Sequence, residues 1–392
     1  MILLLPVQLG YHFWPKFSYV YGLRIDYLSP TVYLTDILVF LILFFWFLEK
    51  RKKILIFNSC FLVLIMFLVA NCLLAQNRGA AFLKLFKILE FALLALYVAK
   101  QRTTLSPITY HLSLAVLWSS LIAIAQFIKQ ASLGGIFWWL GERTFNLNTP
   151  GIARATWEGK FFLRPYSTFS HPNSLAGFIL VSLILILGRK NFKMADLLAT
   201  GLGIFVLILC FSKMVWVTTV FVFLVNFLLR KKTSKQQPAY RQGRLTINNF
   251  FLFILLTFLW FGRNISAESL IRRQELANIA LHLTKVAPFF GVGLNNFIPA
   301  MSKIQVSFDW IWWLQPVHNI FLLVLAETGI IGFLIFLFLI IKTFKNSLDI
   351  RNWSLVISLL AILLTGAADH YWLTLQQNQL MFAIIFGLSW QK

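Results

Sequence analysis

The stretch "RPYSTFSHPNSLAGF", residues 164–178, sets an arginine, a histidine and an asparagine directly before the aliphatic run "ILVSLILILG". Pro172 suits the first turn of a helix, and Ser170 or His171 can cap its free N–H groups. A well-made helix entrance therefore accounts for His171 and Asn173 as well as a ligand would. Arg164 is not needed by any cap. A helix N-terminus with a nearby guanidinium is suited to phosphate. Three further stretches carry related chemistry. In "FSKMVW", Ser212 and Lys213 form a tight turn between apolar runs, and Lys213 either snorkels or meets an anion. In residues 267–297, Arg272 and Arg273 stand side by side, a pairing that fits a diphosphate or anionic headgroups. In "QPVHNIFLLVLAETGIIGF", His318 and Asn319 stand at a helix mouth. A neutral histidine beside an anionic substrate can accept a proton near physiological pH; the plain alternative is a helix-end hydrogen bond. Glu327 lies about 13 Å further along that helix at 1.5 Å per residue. At that depth an ionisable group has a functional or structural partner. Lys84, Lys87 and Glu90 share one helix face. Lys84 can snorkel outward, while Lys87 and Glu90 read as a buried pair, structural or catalytic.

The elements that must hold these residues follow from composition. Of 392 residues, 59% are hydrophobic and only 12% charged, against about 25% charged in soluble domains. Runs near the roughly 20 apolar residues that cross a bilayer recur along the chain. We place spans at 28–48, 54–74, 80–99, 105–128, 174–188, 194–211, 213–229, 250–262, 317–341, 353–368 and 372–390. The expected fold is an all-α polytopic membrane protein, a single domain over 1–392 with about 11 transmembrane helices in a range of 10–12. Residues 1–27, rich in aromatics and proline, read as a re-entrant or interfacial segment. Pro6 interrupts the N-terminus too early for a secretory signal, so the first strong span is expected to target the chain. Cys60, Cys72 and Cys210 sit in apolar runs without metal-ligand spacing.

A net charge of +22 would suggest nucleic acid in a soluble protein. Here more than half of the 35 basic residues fall in alternate short loops and at the C-terminus, the cytoplasmic pattern of membrane proteins. No nucleic-acid partner is expected. The opposite side then owns the two long connections, 129–173 and 263–316. Their tryptophans, in "IFWWLGERTF" and "FDWIWWL", argue for interfacial helices. Ile271, Leu276, Ile279, Leu283 and Val286 form a helical stripe ending before Pro288 and a glycine-rich turn, so an amphipathic helix on the membrane is expected there. Every constellation named above, Lys84–Glu90 apart, faces that outer side. Glu268 and Glu275 lie on one helix, which disfavours hydrolysis by paired carboxylates. A flippase or transporter for lipid-linked glycans is the rival reading, but such carriers often show repeated halves, and no repeat is found. A non-catalytic scaffold for glycolipid headgroups is a third.

Taken in order from about residue 160 to 341, "RPYSTFSHPNSLAGF", "SK", "RQEL…PFFGVGLNNF" and "HN…L…AETGIIGF" resemble the O-antigen ligase and O-antigen polymerase family. "LRIDYLSPTVYLTD" and "RGAAFLKLFKILEF" look like members of the same group. The resemblance implies a GT-C-type glycosyltransferase of the inner (cytoplasmic) membrane, working on the periplasmic face in cell-envelope polysaccharide or lipopolysaccharide synthesis. It implies no cofactor and no metal. Its donor would be a glycan on polyprenyl diphosphate, usually undecaprenyl; its acceptor would be a hydroxyl of a glycan or glycolipid, attacked with inversion. Family arginines in the outer loops hold the diphosphate, which by position makes Arg273 a catalytic candidate with Arg272 as neighbour, beside Arg164. The histidine of the "HN" motif, His318, would activate the acceptor. Lys213, His171, Asn173, Asn319, Glu327, Lys84 and Lys87 complete the candidate binding set. Two positions depart from the family pattern. Lys213 stands where many members have arginine, keeping charge without the bidentate fork, and Ala277 follows "RQEL" where many have tryptophan.

Overall fold

A helix that is apolar on every side belongs in the middle of a bundle, and the run after His171 takes that place. The structure is a computed structural model that describes residues 1–49, 59–101, 105–189, 191–231, 267–304 and 314–391. It is mostly helical. The helices are α1 (Leu34–Glu49), α2 (Ser59–Leu74), α3 (Arg78–Lys100), α4 (Leu105–Lys129), α5 (Pro172–Leu187), α6 (Met194–Leu209) and α7 (Lys213–Lys231). They continue with α8 (Ala267–Val286), α9 (Phe297–Ile304), α10 (Ile320–Asp349), α11 (Trp353–Gly366), α12 (Tyr371–Thr374) and α13 (Gln376–Ser389). Two of them, α4 and α10, are long and apolar enough to cross a membrane, and segments of α2, α5, α6, α7 and α11 are shorter apolar helices. The expected span at 250–262 and the tryptophans of "FDWIWWL" lie outside the described residues.

Every residue of α5 from Ser174 to Ile186 is buried, and α4, α6, α11 and α13 pack around it. Gly177 permits the closest approach: a Cβ there would fall 2.5 Å from the Tyr371 hydroxyl. At the far end of α5, Asp196 on α6 is fully buried. It accepts hydrogen bonds from Ser113 Oγ at 2.6 Å and the Lys193 N–H at 2.7 Å, and pairs with Arg189 at 3.0 Å. That cluster ties α4 and α6 to Arg189 and Lys193, and leaves Arg189 Nε as its one buried nitrogen without a hydrogen bond among the described residues.

The chain is mostly helical as expected, with a few short strands added. Three two-stranded antiparallel sheets are present: β1 (Gly10–His12) with β4 (Thr31–Tyr33), β2 (Tyr19–Val20) with β3 (Leu23–Arg24), and β5 (Arg154–Trp157) with β6 (Lys160–Leu163). Four strands belong to residues 1–33, where Pro6, Pro15 and Pro30 forbid a continuous helix. The expected first span, 28–48, accordingly begins as a helix only at Leu34. The 129–173 connection carries a 3-10 turn (Gly135–Leu140) and the β5–β6 hairpin in place of an interfacial helix. The last expected span divides at Leu375, whose extended backbone separates α12 from α13. On α8, Leu276, Ile279 and Leu283 are buried as the stripe predicted, whereas Ile271 and Val286 are exposed.

The motif "AETGIIGF" breaks its own helix. Gly329 has φ +65° inside α10, and the 288–293 loop presses against the break. The Val292, Gly293 and Ile330 N–H groups donate to the Ala326, Glu327 and Pro288 carbonyls at 3.0, 3.0 and 2.8 Å. A Cβ on Gly329 would fall 2.3 Å from the Phe289 carbonyl oxygen. Irregular backbone at membrane depth is tolerated where protein satisfies it, and this exchange of bonds satisfies it here.

Candidate functional site

The loop between α11 and α12, "AADH", is where the chain's distant polar residues meet. Asp369 is buried and accepts from Asn173 Nδ2 at 2.8 Å and from the His370 N–H at 2.8 Å; His318 Nδ1 approaches its Oδ1 at 3.4 Å. Asn173 Oδ1 in turn accepts from Arg164 Nη2 at 2.5 Å. Arg164 Nε donates to the Cys210 carbonyl at 2.7 Å, which leaves Nη1 without a hydrogen bond among the described residues. Arg273, on α8, donates to the Ala368 carbonyl at 2.7 Å, and Asn319 Nδ2 to the Ala367 carbonyl at 2.9 Å. Arg164, His171, Asn173, Arg273, His318 and Asn319 are thus gathered around one four-residue turn, from three separate stretches of sequence. Arg164 and Arg273 are close enough to repel each other.

Two of these residues are also helix caps. His171 Nδ1 accepts from the Asn173 N–H at 3.1 Å and opens α5; Asn319 Oδ1 accepts from the Phe321 and Leu322 N–H groups and opens α10. The cap assigns His171 its tautomer, with Nε2 carrying the proton. Burial, then the Arg164 charge, pushes the His171 imidazole down to about 3, so it is neutral. His370 is pushed down to about 3 as well, by burial first. Burial raises the Asp369 carboxyl, but the hydrogen bond and charge of His318, with the neighbouring histidines, outweigh it. The group is held well below the usual carboxylate range and is an anion.

Asp369 and His370 were not legible as site residues from their types and spacing alone. The signal was present: an acid and a histidine side by side between two apolar runs. His318, Asp369 and His370 also offer ligand-capable atoms all within 4.8 Å of one another, a set that could gather a divalent cation. Against that use, both carboxylate oxygens of Asp369 already accept hydrogen bonds.

A cavity of about 930 Å³ opens beside this turn, lined by His171, His318, Asp369 and His370 and, on α3, by Lys84, Lys87 and Glu90. Lys84 Nζ donates to the Leu373 carbonyl. Lys87 pairs with Glu90 at 3.2 Å, as the spacing suggested, and also with Asp36 on α1 at 2.5 Å. Residues 8–33 roof the cavity; Tyr27 there meets the His370 ring edge-on at 5.5 Å. Arg164, Arg273 and Lys213 do not line it. Lys213 opens α7 and feels the Arg164 charge, and Arg272 is half-buried on α8. Glu327 does not line it either. Its Oε1 accepts from the Phe297 N–H at 3.3 Å and its carbonyl from Asn71 Nδ2 at 3.0 Å, so it secures the 288–297 loop at the break in α10.

Apolar helices around a buried histidine–carboxylate pair, with two guanidinium groups close by, define a membrane protein whose polar chemistry is concentrated at one end of its helices. Residues 173–337 match the family described as O-antigen ligase, and this stretch of the chain is similar to its members. The match takes in Asn173, Lys213, Arg272, Arg273, His318, Asn319 and Glu327, and leaves Arg164 and Asp369 outside its bounds. No curated protein matches the chain. The similarity implies a membrane glycosyltransferase of the O-antigen ligase or polymerase type.

Proposed function

We propose that the chain transfers a glycan from a polyprenyl diphosphate, undecaprenyl in most bacteria, to an acceptor hydroxyl on the periplasmic face of the inner membrane. The observation that carries this reading is the continuous chain Arg164–Asn173–Asp369–His318, with Arg273 bonded one residue from Asp369. Asp369 receives the Nδ1 proton of His318 and so directs the Nε2 lone pair at the acceptor. The 3.4 Å separation is long for a hydrogen bond, as unliganded catalytic pairs often are. His318 takes the hydroxyl proton as the oxygen attacks the anomeric carbon, and the configuration inverts in one displacement. The leaving diphosphate gathers charge as the bond breaks. Arg164 and Arg273, with Lys213 and Arg272 nearby, neutralise it, which is commonly the largest catalytic term. Asn173 positions Arg164 and Asp369 together; His171 and Asn319 hold the two helix mouths. Glu327 acts at a distance by fixing the loop, and Lys84 and Lys87 act on the cavity side.

About 11 spans in a GT-C-type arrangement, with residues 1–392 as one unit, suit this reading. So do outer loops at 129–173 and 263–316. The polar groups crowd one end of the helices, which favours an enzyme over a flippase that needs a path to both faces. The test is transfer from a purified lipid-diphosphate glycan by the full chain in nanodiscs. His318→Ala is expected to bind donor and to lose about 10²–10⁴-fold in rate; Arg273→Ala is expected to lose about 10²–10³-fold. Full transfer by His318→Ala would overturn the mechanism.

A further inference from the structure

The cavity under residues 8–33 has a charge unlike the rest of the molecule. Asp26, Asp36, Glu90, Glu142 and Asp369 line it, five of the chain's 13 acidic residues. Lys84, Lys87 and Arg143 are the basic residues among its lining, three of 35. In a chain of net charge +22, this wall is made for something other than an anion.

One of the carboxylates offers open acceptor capacity to the cavity. Asp26, on the roof, is exposed and makes no side-chain hydrogen bond or ion pair among the described residues. Glu90 pairs with Lys87 through Oε2, and its Oε1 is buried out of reach of a ligand. Asp36 and Glu142 are committed, the first to Lys87 and the second to Gln126 Nε2 and the Leu133 and Gly134 N–H groups. Aromatic residues face the same space: Tyr27, whose hydroxyl has no hydrogen bond among the described residues, with Tyr33 and Trp138. His370 is 4% exposed. Its Nδ1 bonds Thr374 Oγ1 at 2.7 Å, while no hydrogen bond reaches its Nε2 among the described residues. The His370 imidazole borders the cavity.

Free carboxylate oxygens accept from hydroxyl and ammonium donors. Aromatic faces with a few placed polar groups, in a space within the roughly 300–1,000 Å³ of ligand pockets, describe a small-molecule site. Arg164 and Arg273 lie outside the lining, so His318 and Asp369 form a wall between the guanidinium groups and the cavity. We propose that the cavity is the acceptor subsite, that it takes the terminal sugars of a glycan, and that it selects neutral or amino sugars against uronic or phosphorylated ones. This assignment rests on the glycosyl-transfer reading of the neighbouring site. Residues 8–33 supply the selectivity: Asp26 repels carboxylate-bearing sugars and Tyr27 packs the ring presented to His318.

The test is direct binding of three trisaccharides, cellotriose, the glucosamine trimer and trigalacturonate, to the full chain in nanodiscs without lipid donor. Cellotriose and the glucosamine trimer are expected to bind, with trigalacturonate about ten-fold weaker, as like-charge opposition at a partly screened site gives. Asp26→Asn is expected to narrow that gap, and Tyr27→Ala and Trp138→Ala to weaken cellotriose. Asp26 and Trp138 are exposed, so these variants keep the fold, and unchanged melting temperatures check it. Equal or tighter binding of trigalacturonate would overturn the proposal. Binding of none of the three, or binding indifferent to all three substitutions, would do the same. Donor binding and turnover are measured separately on Arg273→Ala and His318→Ala, so the transfer reading stands or falls on other data.

Discussion

Asp369 does for His318 what neither residue does alone. An imidazole free to rotate presents either nitrogen; in the proposed reaction a buried anion at Nδ1 settles which one faces the acceptor. Asp369→Asn keeps the shape and removes the charge, so the preferred tautomer is lost. The expected result is a rate loss of about 10²-fold or more, with donor binding retained and the acid limb of the pH–rate profile displaced; an unchanged profile would deny the pairing. His370 makes a stability prediction of definite sign. Its pKa is about 3 in the folded protein and about 6.5 when unfolded. Below pH 6.5 the unfolded chain takes up a proton that the folded chain refuses. Stability therefore falls as pH drops from about 6.5 toward 3, by up to about 1.4 kcal/mol per pH unit for this one group. His171, shifted the same way, adds to the slope. Melting temperatures at pH 7.5 and 5.5 check it: His370→Gln should lose less on acidification than the parent chain.

At the scale of elements, the break in α10 is the feature on which the site's placement turns. The 288–293 loop and the helix ends at Gly329 exchange backbone hydrogen bonds, and Glu327 and Asn71 close the joint. Gly329→Ala forces a side chain into a positive-φ extended conformation that is essentially confined to glycine, at about 1–3 kcal/mol, and drives its Cβ into the Phe289 carbonyl. A clear fall in melting temperature with loss of transfer is expected, since α8 carries Arg273 and α10 begins beside His318. At the opposite end of α5, Asp196→Ala leaves Arg189 buried and unpaired, at about 3–5 kcal/mol. That substitution should lower the melting temperature while the folded fraction keeps its rate per molecule. A drop in rate per folded molecule would show the two ends of α5 to be coupled.

Across the whole molecule, the proposed reaction requires an outer face that holds both the β5–β6 hairpin and the site, and an inner face that holds Asn191. In spheroplasts, a membrane-impermeant maleimide should label Lys160→Cys and spare Asn191→Cys; both positions are exposed. Labelling of Asn191→Cys alone would turn the site toward the cytosol. The reaction is also expected to survive EDTA, because Asp369 spends its oxygens on hydrogen bonds. Loss of activity restored by a divalent cation would assign His318, Asp369 and His370 to a metal instead.

Composition and periodicity were enough to establish a helical chain built of apolar runs, because a bilayer demands long apolar stretches that any window of sequence displays. Residue type and local spacing marked Arg164, His171, Asn173, Arg273, His318 and Asn319 as candidates, from the polar stretch before the 174–188 run, the paired arginines and the helix mouth at Asn319. What they touch was another matter. Asp369 became the hub only when α11 and α12 brought their connecting turn to the mouths of α5 and α10. Residues 1–27 looked like a re-entrant or interfacial segment, since their aromatics suit a membrane surface as well as a roof. Glu327 looked like a ligand, for nothing local to it reveals the loop that returns from residue 288. Contacts between residues 40 to 340 positions apart are decided by how helices pack, and packing is a property of surfaces that no single stretch contains.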